Sequence, residues 1–136
     1  MLEGLGYFFQ AIVEFATLRT IFDVLWATQL GIIVGMLPGL TATMGIALMT
    51  TLTFKLPANN AVLILICMYV GAIYGGGRSA ILLNIPGTPA NAATAVDGNP
   101  LARQGKAGQA IGIATTGSFL GSIIGMLLLA TVTPLL

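Results

Sequence analysis

Apolar residues run through this chain in long stretches that charge interrupts at only a few points. Charge-free runs cover residues 24–54, 56–77, 79–96 and 107–136. A membrane-spanning helix needs about 20 predominantly apolar residues. The pattern therefore predicts an all-α integral membrane protein, a polytopic helical bundle embedded in a lipid bilayer. Residues 1–23 are patterned differently. Glu3, Gln10, Glu14 and Thr17 fall within about 60° of one another on a helical wheel, with Leu5, Phe9, Ile12 and Phe15 mostly elsewhere. This predicts either an amphipathic helix lying at the interface or the wet start of a tilted span.

The run 24–54 is too long for one straight crossing: as continuous helix it would reach about 45 Å against a hydrocarbon core of about 30 Å. Pro38-Gly39 stands near its centre. Proline removes a backbone donor and glycine frees the backbone, so two shorter arms are expected, as a re-entrant hairpin or as a broken crossing helix. Residues 58–77 form the clearest single span, ended by Gly75-Gly76-Gly77. Residues 78–96 form a second interrupted element around Pro86-Gly87 and Pro89. Asp97-Gly98-Asn99-Pro100 is a turn signal that opens a polar loop over 97–106, and 107–134 is the last span. Gly31-Gly35, Gly71-Gly75 and Gly117-Gly121-Gly125 repeat at four-residue spacing, which suits close helix packing in lipid.

Composition sharpens this. The chain is 57% hydrophobic and 7% charged, against roughly 25% charged residues in soluble domains. A net charge of +1 without a basic run gives no reason to expect nucleic acid. One cysteine, Cys67, and no histidine predict no disulfide framework, no metal site and no bound cofactor. The first residues lack the basic and short apolar regions of a cleaved signal peptide. Arg103 and Lys106 place the 97–106 loop on the cytoplasmic side by the positive-inside rule.

No enzyme is expected. Acid–base histidine and paired carboxylates within a span are both missing, and Gly75-Gly76-Gly77-Arg78-Ser79 lacks the ending of a phosphate loop. The two Pro-Gly breaks carry the functional expectation instead. Backbone opened inside a bilayer has to be satisfied by protein, water or ligand, and interrupted apolar segments point to a transporter's binding site. The candidate substrate- and ion-binding residues are Pro38, Gly39, Thr41 and Thr43 at the first break, and Asn84, Pro86, Gly87 and Thr88 at the second. Helix N-termini after the breaks would favour an anion, and carbonyls before them a cation such as a coupling Na⁺. The plainer reading makes each Pro-Gly a packed kink. Arg78 reads first as an interfacial anchor and second as a bidentate partner for a carboxylate.

Several blocks together resemble the large permease subunit of the tripartite tricarboxylate transporters. They are Gly35-Met-Leu-Pro-Gly-Leu, Tyr74-Gly-Gly-Gly, Ala80-Ile-Leu-Leu-Asn-Ile-Pro-Gly-Thr-Pro, Asp97-Gly-Asn-Pro and Ala102-Arg-Gln-Gly-Lys-Ala-Gly-Gln-Ala. The resemblance extends from about Leu25 to Leu136. It implies secondary transport of di- or tricarboxylates such as citrate across a bacterial inner membrane. It also implies a small membrane subunit and a periplasmic substrate-binding protein as partners, with an Na⁺ or H⁺ gradient and no ATPase. Permeases of this family are several times longer, so the resemblance makes this chain an N-terminal fragment. The rival expectation is a non-transporting membrane subunit or assembly scaffold; a passive pore is a third.

Overall fold

The computed structural model describes residues 16–133 together with Gly6, Gln10 and Val13. The amphipathic helix expected over 1–23 falls largely outside the described residues. Five α-helices follow in order: α1 (Leu18–Met36), α2 (Ala42–Thr53), α3 (Ala58–Leu83), α4 (Ala92–Leu101) and α5 (Ala107–Val132). A short 3₁₀ turn (Pro89–Asn91) leads into α4, and a π-helical segment (Ala102–Lys106) joins it to α5. No strand occurs among the described residues. Three helical stretches are long and apolar enough to cross a membrane: Leu18–Met36, Ala58–Leu83 and the near-continuous Pro89–Val132.

Glycine stripes set the central packing. On α1, Ala27, Gly31 and Gly35 are buried at four-residue spacing, and they meet Met68, Gly71, Ala72 and Gly75 of α3. A Cβ on Gly31 would stand 2.3 Å from the Met68 carbonyl oxygen, and one on Gly71 would stand 2.4 Å from that of Thr28. The two backbones thus approach with nothing between them, as small-residue interfaces permit in lipid. Residue numbers climb together along this contact, so α1 and α3 run parallel. In sequence between them comes α2, only 12 residues long, or about 18 Å of helix. Its buried stripe of Ala42, Gly45, Met49 and Thr53 closes a small apolar core of Ala27, Met49, Ile64 and Met68. Facing outward are Phe22, Leu25, Leu48, Leu52, Val62 and Ile66. An apolar exterior of this kind suits lipid rather than water.

Two expectations are corrected here. The triple glycine does not end α3, which continues to Leu83. Helix propensity disfavours glycine by about 1 kcal/mol per residue, but Gly75 and Gly76 are held by packing. A Cβ on Gly75 would lie 2.3 Å from the Ile32 oxygen, and one on Gly76 would lie 2.6 Å from Asn91 Nδ2. Nor is 97–106 an open loop: Asp97-Gly98-Asn99-Pro100 lies within α4. Asn99 is buried and donates to the Ile81 carbonyl at 3.0 Å, while Gly98 lets α4 close onto the Ile81 side chain. The reversal comes later, at Gly105, where φ is 79°. That left-handed value is one glycine adopts without the penalty of a side chain.

The chain then descends. α5 begins beyond Asn99, which lies level with Ile81, and Thr115 meets Tyr74, so α5 is antiparallel to α3. Parallel α1 and α3 gather Arg19 and Lys55 at one end of the bundle, while Arg103 and Lys106 lie at the other. The charge bias expected to fix 97–106 on the cytoplasmic side is therefore balanced. Gly117, Gly121 and Gly125 meet no partner among the described residues.

Candidate functional site

The first break is a tight turn. Leu40 N–H donates to the Leu37 carbonyl at 3.2 Å around Pro38 and Gly39, whose φ is 93°. Proline then a left-handed glycine at the two central positions is the signature of a type II turn. Thr41 caps α2, accepting from Met44 N–H at 3.3 Å, and its hydroxyl lies 2.8 Å from that of Thr43. Pro38, Gly39 and Thr43 are exposed.

The second break turns back into the bundle. α3 closes on Asn84, left-handed at φ 58°, whose N–H donates to the Ala80 carbonyl. Asparagine tolerates this conformation better than most residues. Asn84, Ile85 and Pro86 are exposed, whereas Gly87 and Thr88 are buried. Gly87 lies on Gly76: a Cβ there would sit 3.0 Å from the Gly76 Cα and 2.8 Å from the Gly35 oxygen. The chain has therefore doubled back along α3 before α4 starts. Asn91 Nδ2 donates to the Ile73 carbonyl at 3.0 Å, and α4 then climbs beside α3 until Asn99 reaches Ile81. Residues 84–101 thus form a re-entrant arm with Gly87 and Thr88 at its tip. The Thr88 hydroxyl is buried without a hydrogen-bond partner.

The second break meets the last turn of α1 at Gly35. Gly87 rests on its oxygen, and the next carbonyl, that of Met36, accepts from Ser79 Oγ at 2.9 Å. Of the expected site residues, the structure brings Gly87 against the end of α1 and buries Thr88 beside it in sequence. It leaves Pro38, Gly39, Thr43, Asn84 and Pro86 on the surface of the described chain.

A second feature was not assembled from sequence. A cleft of about 580 Å³ opens between α1, α3, the arm and α5. Its floor carries Tyr74 and Arg78 of α3, flanked by Asn91 and Thr94 of the arm and by Thr115 and Ser118 of α5. The Arg78 guanidinium stacks over the Tyr74 ring, 4.2 Å from its centroid, a cation–π arrangement. Nη2 of Arg78 donates to the Tyr74 hydroxyl. That hydroxyl lies 3.1 Å from Thr115 Oγ1, which donates to the Ile111 carbonyl at 2.8 Å. Arg78 Nε is buried and has no hydrogen-bond partner. No carboxylate lines the cleft among the described residues. Arg78 does not end its helix: α3 runs past it to Leu83. The clue was a hydroxyl stripe at Thr115, Ser118 and Ser122 on an otherwise apolar helix. It becomes meaningful only once Tyr74 is seen beside it. Chemically the cleft offers one fixed cation, hydroxyls and an amide, a set that binds by charge and hydrogen bonding.

Comparison with known proteins gives a consistent family. The model of the tripartite tricarboxylate transporter TctA family matches residues 21–136. The chain is 41% identical over 123 residues to an uncharacterized 52.8 kDa protein in the TAR-I ttuC' 3'region of Agrobacterium vitis. That alignment covers 88% of this chain and 24% of the relative, so the chain spans about a quarter of the length of the curated relative it matches. No solved structure matches.

Proposed function

This chain belongs to the tripartite tricarboxylate transporter TctA family, and from that premise we propose that it contributes part of a permease for citrate-like di- and tricarboxylates. The permease lies in a bacterial inner membrane and works with a small membrane subunit. A periplasmic binding protein delivers substrate, and an Na⁺ or H⁺ gradient drives uptake. The observation that carries this reading is the meeting of the two interrupted elements, with Gly87 seated on the Gly35 carbonyl. The second break thus packs against the helix end that leads into the first, an arrangement that suits transporters that bind at broken helices. Thr41 and Thr43 beside the first break and Asn84 and Thr88 beside the second are the side-chain oxygens this reading assigns to substrate and ion.

The test is uptake of radiolabelled citrate in cells carrying the full-length permease and its partner subunits. Saturable uptake that collapses when the ion gradient is dissipated supports the reading. An assembled complex that takes up no carboxylate overturns it in favour of a scaffold, and flux without gradient or binding protein overturns it in favour of a pore.

A further inference from the structure

We propose that the cleft over Arg78 is a carboxylate-binding subsite, with Arg78 the group that holds one carboxylate of the substrate; this rests on the carboxylate-transport reading above. A guanidinium inside an apolar bundle is costly unless it is paired or hydrated, yet no acidic residue lines this cleft among the described residues. Its Nη2 is engaged by Tyr74, while its Nε is buried and unpartnered. Buried donors without partners are rare in folded proteins. Arg78 lines a cleft of about 580 Å³, roomy enough for a small polyacid.

The orientation is prepared in advance. Stacking on Tyr74 and the hydroxyl relay through Thr115 to the Ile111 carbonyl fix the plane of the guanidinium. A planar, pre-oriented fork is the geometry that takes a carboxylate through two parallel hydrogen bonds. Asn91, whose Nδ2 is committed to Ile73, lines the cleft with Thr94 and Ser118. These groups can hydrogen-bond hydroxyl or further carboxylate groups of the same ligand. Lysine would supply charge without the fork, so Arg78 sets affinity and also the discrimination between acids of different charge.

The experiment uses the full-length permease with its partner subunits in proteoliposomes, with citrate as the probe. KM and Vmax are measured for the native protein, Arg78→Lys and Arg78→Gln at equal reconstituted abundance, and succinate is compared with citrate as competitor. Arg78→Gln is expected to raise the citrate KM about 10- to 100-fold, the range for losing a charged hydrogen-bond partner, with Vmax changed far less. Arg78→Lys should recover part of the loss, and the preference between the two acids should shrink. A second readout is independent of transport: Ser118→Cys, with native cysteines replaced, is labelled by a charged thiol reagent with and without citrate. Citrate should protect this thiol in the Arg78 protein and not in Arg78→Gln. Unchanged KM and unchanged protection in Arg78→Gln, with native uptake intact, overturn the subsite alone. So does loss of assembly with normal KM in the surviving complexes, which would make Arg78 a packing partner. Absence of uptake by the native protein, with citrate protection still present, overturns transport and leaves the subsite standing.

Discussion

The hydroxyl of Ser79 donates to the main-chain carbonyl of Met36 across 43 residues of sequence, at 2.9 Å. Met36 is the last residue of α1, where carbonyls lack an intrahelical partner, and the turn at Pro38 follows at once. Ser79→Ala strands that carbonyl in an apolar setting. A loss of about 1 kcal/mol is expected, the usual scale for one such bond in a membrane bundle. Thermal unfolding of the purified protein in detergent checks it, and an unchanged midpoint would show that the Met36 carbonyl finds another donor.

Two glycines of one adjacent run, Gly75 and Gly77, should respond in opposite ways to the same methyl group. Gly75→Ala places Cβ 2.3 Å from a backbone oxygen of Ile32, which cannot yield unless α1 and α3 separate. Overpacking of this kind costs about 1–3 kcal/mol or more. Gly77→Ala meets only Asn91 Oδ1 at 3.6 Å, an ordinary contact, and gains helix propensity of up to about 1 kcal/mol. Membrane abundance and thermal midpoint should fall for Gly75→Ala and hold or rise for Gly77→Ala. Equal effects would contradict the close approach of the two helices.

At Asn84 the backbone and the side chain make separate demands. Its left-handed φ of 58° is free for glycine and costs about 1–2 kcal/mol for most other residues. Asn84→Gly should therefore keep native stability, while Asn84→Ala loses roughly that amount. Uptake assayed on Asn84→Gly reads the side chain alone. Full activity in that variant removes Asn84 from the binding site, and lost activity with normal folding keeps it there.

The re-entrant arm hangs on two amides. Asn91 and Asn99 each donate to an α3 carbonyl at 3.0 Å, and Asn99 also accepts from Arg103 Nε at 2.9 Å. Replacing either by alanine removes its bond to α3, and Asn99→Ala also releases Arg103. The expected cost is about 1 kcal/mol for Asn91→Ala and more for Asn99→Ala. Faster thiol labelling of a cysteine introduced at Thr94 would register the loosened arm. Unaltered labelling in both variants would mean that packing alone holds it.

Much of this architecture could be read from residue order because membrane spans depend on local apolar length. The helical class and the glycine stripes on α1 and α3 come from patterns within one segment. What sequence missed depends on a second segment. Gly75 and Gly76 look like helix breakers until Ile32 and Asn91 are placed against them. Asp97-Gly98-Asn99-Pro100 looks like a turn until Asn99 finds the Ile81 carbonyl. The cleft draws on residues as distant as Thr28 and Ser122, and no periodicity links them. Arg78 itself was visible, but α5 and the arm had to pack against α3 before a residue expected at a helix end became one that lines a cleft.

Asn91 pairs with Ile73 and Asn99 with Ile81, both at a separation of 18 residues. Two bonds at one offset fix the register of the arm on α3, since sliding by a single turn would break both together. With α1 seated on α3 backbone to backbone, these three helices form one block. α5 is tied to it more lightly, through the Tyr74–Thr115 hydroxyl pair, and joins the arm beyond Gly105. Spin labels spanning α1 and α3 should therefore keep one distance with and without citrate, while a pair spanning α3 and α5 should shift. The cleft then has three walls built into one block and a fourth, α5, that meets it through the Tyr74–Thr115 hydroxyl pair and follows the turn at Gly105.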